Sequence, residues 1–312
     1  MKVFVTGGTG YLGRAVVRAL AARGHELVIF ARSATRSGLP GTAIDGDIRD
    51  GAAVARAAAG CDAISHSAAL VSIWRRRRED FDDINVGGLR RVLDAAGTLG
   101  IRRIVYTSSF LALAPRDLGA PIAANDYQRT KVAADRVADE AVRTGVPLIR
   151  VYPGVVYGPG PRTEGNLVGR LIADHLRGRL PGLVGPENLW SYAYVDDVAA
   201  GYCAALERGA EGARYLLGGE NASQSRVFEV VEQLTGRRKP RRIPFPIADA
   251  LGAAEEIRVS LLGGTPLITR GAVEIFRHDW SLDSGDAVRH LAYTITPLDE
   301  GIRRTVAELT RS

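Results

Sequence analysis

A serine, a tyrosine and a lysine in the middle of the sequence have the types and spacing needed for proton transfer to a carbonyl oxygen. Tyr127 and Lys131 are four residues apart, so on a helix both side chains lie on one face. A tyrosine hydroxyl has a pKa of about 10, and a nearby ammonium group stabilises its phenolate. Ser109 follows a β-branched run, where its hydroxyl could bind a substrate oxygen as charge develops. We therefore expect Tyr127 to act as acid or base, assisted by Ser109 and Lys131.

A glycine-rich turn near the start of the sequence predicts a dinucleotide as the partner for this chemistry. Residues 2–6 have the composition of a buried strand, and residues 15–22 have that of a helix. Between a strand and a helix, glycines allow a tight turn and let a pyrophosphate approach free N–H groups. The spacing fits two registers, Gly7, Gly10, Gly13 and Gly8, Gly10, Gly13. The expected dinucleotide-binding residues of this loop are Gly7, Thr9, Gly10, Tyr11, Leu12 and Gly13.

The end of the second predicted strand, 26–31, favours NADP. An NAD-binding unit usually has an acidic residue there that binds the ribose hydroxyls, but this sequence has Arg32. A guanidinium suits a 2′-phosphate because it offers a positive charge and a fork of donors. NADP is therefore the expected cofactor, and NAD is the alternative. After the third strand, Asp47 could hold the adenine amino group while Ile48 covers the ring.

Strands and helices alternate through the first ~150 residues, which predicts an α/β fold with a doubly wound parallel sheet, the Rossmann architecture. Strands are predicted over 2–6, 26–31, 63–69, 102–107 and 147–152, with a short one before Gly46, and helices over 15–22, 52–59, 81–99 and 127–143. The fourth strand ends in Ala68 and Ala69, whose small side chains leave room for a cofactor.

From Pro153 onward the regular alternation is lost. A turn-rich segment, 153–161, is followed by short helices and strands that follow no clean repeat. We therefore expect a dinucleotide-binding domain over 1–152. Residues 153–312 are expected to form a smaller, mainly C-terminal substrate lobe, with segments that return to the main sheet.

Composition narrows the classes of partner. The 312 residues are 46% hydrophobic and 24% charged, as in ordinary globular proteins, and no apolar run is long enough to predict a membrane span. The net charge is +6, but no nucleic-acid-binding module accompanies it. Cys61 and Cys203 lack the spacing of a metal site, so no metal is expected. Met1 and Lys2 lead directly into the first strand, so we expect a cytoplasmic protein without a signal peptide.

The densest basic run is Arg75–Arg78. We interpret it first as the solvated face of a loop. The alternative is a rim that attracts anions.

Several motifs together resemble the extended short-chain dehydrogenase/reductases along nearly the whole chain. They are Thr6–Gly13, Asp47–Ile48, Ala68–Ala69, Asn85–Val86, Tyr106–Ser109, Tyr127–Lys131, Pro153–Gly158 and Tyr194–Val198. Within this family the chain is most similar to the dihydroflavonol-4-reductase-like branch, including plant farnesol dehydrogenase-like members; relatives are often called NAD-dependent epimerase/dehydratase. The segments that carry this closer likeness are 68–74, 152–155, 165–168 and 178–182.

The resemblance implies roles for further residues. Asn85 would be the helix asparagine that supports the active site beside Ser109, Tyr127 and Lys131. The cofactor would also contact Thr107, Pro153 and Val155. The residues expected around the substrate are Val71, Trp74, Ser109, Phe110, Asn166 and Trp190, the last two within the loop region 160–190.

One departure from the family pattern bears on the substrate. Nucleotide-sugar members carry an arginine before the Val195–Asp197 element, where it binds a substrate phosphate, but this sequence has Trp190 there. We therefore expect a small, largely apolar alcohol, ketone or aldehyde as the substrate. The alternatives are a nucleotide-sugar epimerase or dehydratase, and a dinucleotide-sensing protein without catalysis. No nucleic-acid partner is expected, and a homodimer is left open.

Overall fold

The computed structural model describes residues 1–311. Its strands are β1 (Lys2–Thr6), β2 (Glu26–Ala31), β3 (Thr42–Asp45), β4 (Ala63–His66), β5 (Ile104–Thr107), β6 (Leu148–Pro153), β7 (Val155–Tyr157), β8 (Leu183–Val184), β9 (Leu189–Tyr194), β10 (Arg214–Leu217), β11 (Glu220–Ser223) and β12 (Arg242–Ile243).

Its helices are α1 (Tyr11–Ala22), α2 (Gly51–Ala58), α3 (Glu79–Phe81), α4 (Gly88–Leu99), α5 (Asp126–Arg143), α6 (Leu167–Leu176), α7 (Val195–Arg208), α8 (Gln224–Thr235), α9 (Phe245–Leu262), α10 (Arg270–Phe276), α11 (Gly285–Leu291) and α12 (Leu298–Arg311). A π-helical segment, Asp82–Gly87, joins α3 to α4, and a 3₁₀ turn, Phe110–Ala112, follows β5.

Seven parallel strands form the central sheet in the order β10-β6-β5-β4-β1-β2-β3. The inner strands are apolar and buried on both faces, as parallel sheets require, because helices cover both sides. One face packs against α1 and α7 around Val5, Val16 and Tyr202. The other packs against α2, α4 and α5 around Phe4, Val92 and Ala134. The doubly wound α/β fold predicted from the sequence is therefore confirmed.

The order of the strands creates a crevice. The chain runs outward from β1 through β2 to β3, then returns to the other side of β1 at β4. Such a reversal leaves a crevice at the carboxyl ends of β1 and β4, where ligands bind in open α/β sheets. The loops after these two strands meet there. A Cβ atom on Gly7 would lie 2.4 Å from the backbone nitrogen of Ala68, and its φ of 73° favours glycine.

The second half of the chain belongs partly to the main sheet and partly to a smaller lobe. It supplies β10 and α7 to the main sheet. The rest builds a lobe around a three-stranded sheet, β11-β9-β7, and a two-stranded sheet, β12-β8. The core of this lobe includes Tyr157, Trp190 and Phe228. No helix within residues 1–311 is long and apolar enough to cross a membrane.

The three largest differences from the predicted boundaries lie in α1, in β4 and in the segment before α4. Helix α1 begins at Tyr11 rather than Ala15, because the glycine loop turns directly into the helix. Strand β4 ends at His66 rather than Ala69, since the following residues leave the sheet as a loop. The predicted helix 81–99 is interrupted by the π-helical segment that contains Asn85. Segments of this kind are frequent at functional sites.

Candidate active site

Lys131 is the buried charge at the centre of the site. It lies in the second turn of α5 with only 3% of its surface exposed. Its Nζ donates to the carbonyl oxygen of Thr107, at the end of β5, over 2.9 Å. The ammonium also lies 5.2 Å from the centroid of the Tyr106 ring. Burial lowers the pKa of Lys131 to about 8, since a charged group loses hydration there.

Tyr127 and Ser109 complete the predicted set. Tyr127 lies one turn before Lys131 on α5 and is half-buried. Burial raises the pKa of Tyr127, and a hydrogen bond with the Ser109 side chain opposes this rise. Ser109 is itself buried, and its Oγ accepts from the backbone nitrogen of Leu111 at the start of the 3₁₀ turn. The structure therefore brings the two hydroxyls together, one from the second residue after the end of β5 and one from the first turn of α5, the helix that also carries Lys131.

Asn85 links this set to the loop after β4. Its Oδ1 accepts from the backbone nitrogen of Leu70 over 2.7 Å, and its Nδ2 donates to Thr130 Oγ1 over 2.9 Å. Thr130 immediately precedes Lys131 in the sequence. Within residues 1–311, the Asn85 side chain forms no hydrogen bond with Tyr127 or Ser109, and it instead fixes α5 against the loop that begins at Ser67.

Asp135 was missed by the sequence analysis. This buried carboxylate lies one turn after Lys131 and accepts from Ser108 Oγ over 2.9 Å and from Tyr152 Oη over 2.7 Å. Its negative charge raises the pKa of Lys131 and so opposes the effect of burial. The signal was available, since residues four apart on a helix share a face. It was not decisive, because Ser108 and Tyr152 come from other elements.

His66, at the end of β4, stays uncharged. Its Nδ1 and Thr6 Oγ1 are 2.6 Å apart, and its ring stacks on Tyr106 at 5.7 Å. Burial, followed by the charge of Lys131, lowers the pKa of His66 to about 3. A neutral imidazole avoids placing a second cation beside Lys131.

The glycine loop has the form of an anion cradle. Gly10 caps α1 without a side chain, and no acidic residue lies in the first turn of this helix. The helix dipole and the N–H groups of that turn are therefore open to a pyrophosphate. Gly13 keeps the helix close to the loop, since a Cβ there would lie 2.0 Å from the Gly7 oxygen. Arg14, a residue not predicted, braces the loop by donating to the Thr9 carbonyl over 3.1 Å. These features fit a dinucleotide.

The other residues predicted to contact the cofactor range from half-buried to buried. Thr9 and Leu12 are half-buried at the loop, whereas Tyr11 is buried and faces the glycines at 158 and 160. Ala68 and Ala69 are half-buried beyond β4, as is Thr107 at the end of β5. Pro153 and Val155 are buried on either side of Gly154, where β6 passes into β7.

Arg32 is exposed directly after β2, and within residues 1–311 it forms no ion pair. Asp47, in contrast, already has a partner, since its Oδ2 lies 2.7 Å from Arg49 Nη2. The hydrogen bond from Arg49 lowers the pKa of Asp47, and the charge of Arg32 lowers it further. An adenine contact through Asp47 would have to share its carboxylate with Arg49. Ile48 is buried and lies against Gly88 at the start of α4.

Apart from Ser109, the predicted substrate residues lie in three places: an aromatic cluster, the start of α6 and the loop after β4. Phe110 follows Ser109 and contacts two tryptophan rings, at 6.1 Å from Trp190 and 5.6 Å from Trp280. Trp190 is almost fully buried and stacks on Phe276 at 5.0 Å, so it packs behind Phe110.

Asn166 caps α6. Its side-chain oxygen accepts from the Gly169 N–H and its side-chain nitrogen donates to the Gly158 carbonyl, so both ends of the amide already have partners. The residues on the loop after β4 are Val71, which is 38% exposed, and the half-buried Trp74.

The sequence profile of the NAD dependent epimerase/dehydratase family matches residues 3–218. The chain belongs to this family. The resemblance to extended short-chain dehydrogenase/reductases is thereby confirmed.

Two relatives and one solved structure illustrate the similarity. Sterol demethylase protein B of Methylococcus capsulatus is 36% identical over 77% of this chain and 76% of its own. A putative dihydroflavonol 4-reductase of Synechocystis is 30% identical over 97% and 93%. The crystal structure of gox2253 aligns with 99% of this chain and 98% of its own, at a TM-score of 0.82 and 29% identity. Together with the family match, they identify the protein as an NAD(P)-dependent oxidoreductase.

The Lys131–Asp135 pair yields a prediction about pH. Asp135→Asn keeps an oxygen that can accept from Ser108 and Tyr152 but removes the charge that raises the pKa of Lys131. The pKa of Lys131 should therefore fall below about 8. The alkaline limb of the pH profile of kcat/KM should move to lower pH. Glu140→Gln, an exposed carboxylate on the same helix, is the control and should leave the profile unchanged. An unmoved alkaline limb in Asp135→Asn would contradict the coupling.

Proposed function

We propose that the protein interconverts an alcohol and a ketone or aldehyde on a small, largely apolar molecule, with NADP(H) as the preferred cofactor. The observation that carries the proposal is the convergence of Ser109, Tyr127 and Lys131 beside the aromatic side chain of Phe110. The glycine loop, at the carboxyl edge of the same sheet, supports the cofactor assignment.

Side chains of this protein supply and accept the proton that the reaction transfers. A bound nicotinamide supplies or accepts the hydride. During reduction, the Tyr127 hydroxyl gives its proton to the carbonyl oxygen, while Ser109 donates a hydrogen bond to the same oxygen. Lys131 stabilises the phenolate left on Tyr127 by its charge. In the reverse direction the phenolate accepts the proton of the alcohol.

Lys131 has donors to spare for this role. An ammonium carries three N–H donors, and Thr107 accepts one of them. The others are free to bind the ribose of the nicotinamide nucleotide and to face Tyr127. Because the ammonium is desolvated, its effect on the phenolate is larger than it would be in water.

The apolar substrate class is supported by what surrounds Phe110. Trp190, Trp280 and Phe276 form an aromatic cluster behind this ring. An arginine at position 190 would be buried without a charged partner in that cluster, which is costly. The names of the two relatives reported above refer to a sterol and to a dihydroflavonol, both compounds with extensive apolar surface.

The chemistry is tested by one hydroxyl deletion. Tyr127→Phe should cut turnover of carbonyl substrates by at least ~10²-fold, with cofactor binding nearly unchanged, because only the proton donor is lost. Tyr192→Phe is the matched control. Its hydroxyl is buried and has no hydrogen-bond partner within residues 1–311, so its loss should not reduce turnover.

The substrate class is read from a screen of the same protein. NADPH oxidation and NADP⁺ reduction would be followed over apolar aldehydes, ketones and alcohols, and UDP-sugar binding by calorimetry. We expect turnover of an apolar compound and no UDP-sugar binding. Tight UDP-sugar binding would select an epimerase or dehydratase instead. Full activity in Tyr127→Phe would refute the proposed mechanism.

The cofactor preference is tested at Arg32. Arg32→Ala should weaken NADPH binding by about tenfold or more, because a charged hydrogen bond to a 2′-phosphate is worth about 1.5–3 kcal/mol. NADH binding should change little, and exposed Arg18→Ala on α1 serves as the control variant. Dissociation constants for both cofactors decide the matter, and equal losses for NADPH and NADH would refute the assignment.

A further inference from the structure

Helix α9 and the segment after it carry large apolar side chains that are exposed among the described residues. The four most prominent are Ile257, Leu261, Leu262 and Leu267, with exposed fractions of 61%, 78%, 81% and 88%. Ile247 and Leu251, earlier on the same helix, are also about half exposed. We refer to these six residues as the apolar ridge. Such a concentration of exposed apolar groups marks an interaction surface.

The ridge lies on one side of α9. At 100° per residue, its five helical members fall within an arc of about 140°. An adjacent side carries the buried Ala248, Gly252 and Val259, of which Ala248 and Gly252 pack against α10. The helix is therefore held in the fold by one apolar face and presents a second one to solvent, along a length of about 27 Å.

Unpaired arginine side chains lie near both ends of the apolar ridge. The acidic side chains of α9 are neutralised by arginine pairs, among them Glu255 with Arg258 and Glu256 with Arg270. At the far end, a cavity of about 370 Å³ is lined by Thr265 together with the basic residues 75–77, Asp80 and Glu164. These three arginines form no ion pair within residues 1–311. The near end is preceded by two more exposed or partly exposed arginines at 241 and 242, also unpaired in the described part of the chain.

We propose that the apolar ridge docks the protein onto the surface of an anionic lipid bilayer, with α9 lying in the plane of the membrane. Leucine and isoleucine side chains would enter the boundary between headgroups and acyl chains. The unpaired arginines would contact anionic headgroups, as basic clusters beside an amphipathic helix do. Residues 75–77 of the run Arg75–Arg78 thereby become the anion-attracting rim that was the alternative interpretation of the sequence, whereas Arg78 is paired with Asp126.

A second copy of the chain suits the ridge less well than a bilayer. The unpaired arginines lie at both ends of α9, so parallel and antiparallel pairing alike would place cations against cations. The leucines at 261, 262 and 267 also stand almost clear of the surface rather than lining a groove. Protruding apolar side chains fit a fluid interface better than a rigid one.

The ridge is joined to the site through α10. Gly271, at the start of α10, packs against the backbone of Ala124, two residues before α5 begins. Phe276, at its end, stacks on Trp190 behind Phe110. A substrate that partitions into lipid would then reach the pocket from the docked face. This use of the surface rests on the proposed function, whereas the bilayer contact itself does not.

The experiment is co-sedimentation of the full chain with vesicles. Vesicles of phosphatidylcholine with about 30% phosphatidylglycerol should bind the protein at low salt, and binding should weaken in pure phosphatidylcholine and at high salt. The variant L261S/L262S/L267S should lose about tenfold or more in partitioning. The control L99S/L234S/V288S removes three exposed apolar side chains elsewhere and should bind as the unmodified protein does.

A second variant keeps the test independent of the fold of α9. R75Q/R76Q/R77Q leaves α9 unchanged. It should weaken binding to vesicles that contain phosphatidylglycerol but not binding to vesicles of pure phosphatidylcholine. Thermal unfolding checks that each variant is folded, and turnover of a water-soluble carbonyl compound is expected to stay unchanged. Vesicle binding without any turnover would refute the proposed function while supporting the docking. Failure of the unmodified protein to bind anionic vesicles would overturn the docking. The docking would also be overturned if the unmodified protein were a dimer and the leucine variant converted it to monomers of 33.4 kDa.

Discussion

The structure depends on burying one ammonium group. Lys131 is almost removed from water, and its charge is tolerated because the Thr107 carbonyl, the Tyr106 ring and the Asp135 carboxylate compensate for lost hydration. Each compensating group comes from β5 or α5, so the position of the ammonium fixes the register of this helix on the sheet. His66 adapts by staying neutral. Because the ammonium is desolvated, its charge acts on neighbouring groups with little screening by solvent.

The order of the strands creates the crevice, and the candidate active site lies at the same edge of the sheet. The reversal between β1 and β4 leaves their carboxyl ends open, and the loops that begin at Gly7 and Ser67 meet there. Asn85, in its π-helical segment, ties the second of these loops to α5. The second half of the chain closes the other side, with Val155 and the aromatic cluster around Trp190. The glycine loop and the Ser109–Tyr127 pair thus share one edge of the sheet although they are far apart in the sequence.

The sequence was a good guide wherever a local pattern determines the outcome. Apolar runs predicted the strands, and the spacing of Tyr127 and Lys131 predicted a shared helix face, which the structure has. It was a poorer guide where partners come from distant elements. Arg49 binds the carboxylate of Asp47, and the Asn166 amide is used as a helix cap. Trp190, which was predicted to lie beside the substrate, packs behind Phe110. Asp135 acquires its importance only through Ser108 and Tyr152.

The most direct test of the account measures the lysine pKa values. The chain has only three lysines, Lys2, Lys131 and Lys239, so ¹⁵N-labelled lysine gives three side-chain NMR signals that can be assigned by substitution. Lys239 is exposed, and its hydrogen bond with Glu229 raises its pKa, so it serves as the internal reference. We expect the Lys131 signal to titrate at about 8. Titration of Lys131 at the ordinary lysine value of about 10.4 would contradict the buried ammonium on which the mechanism rests.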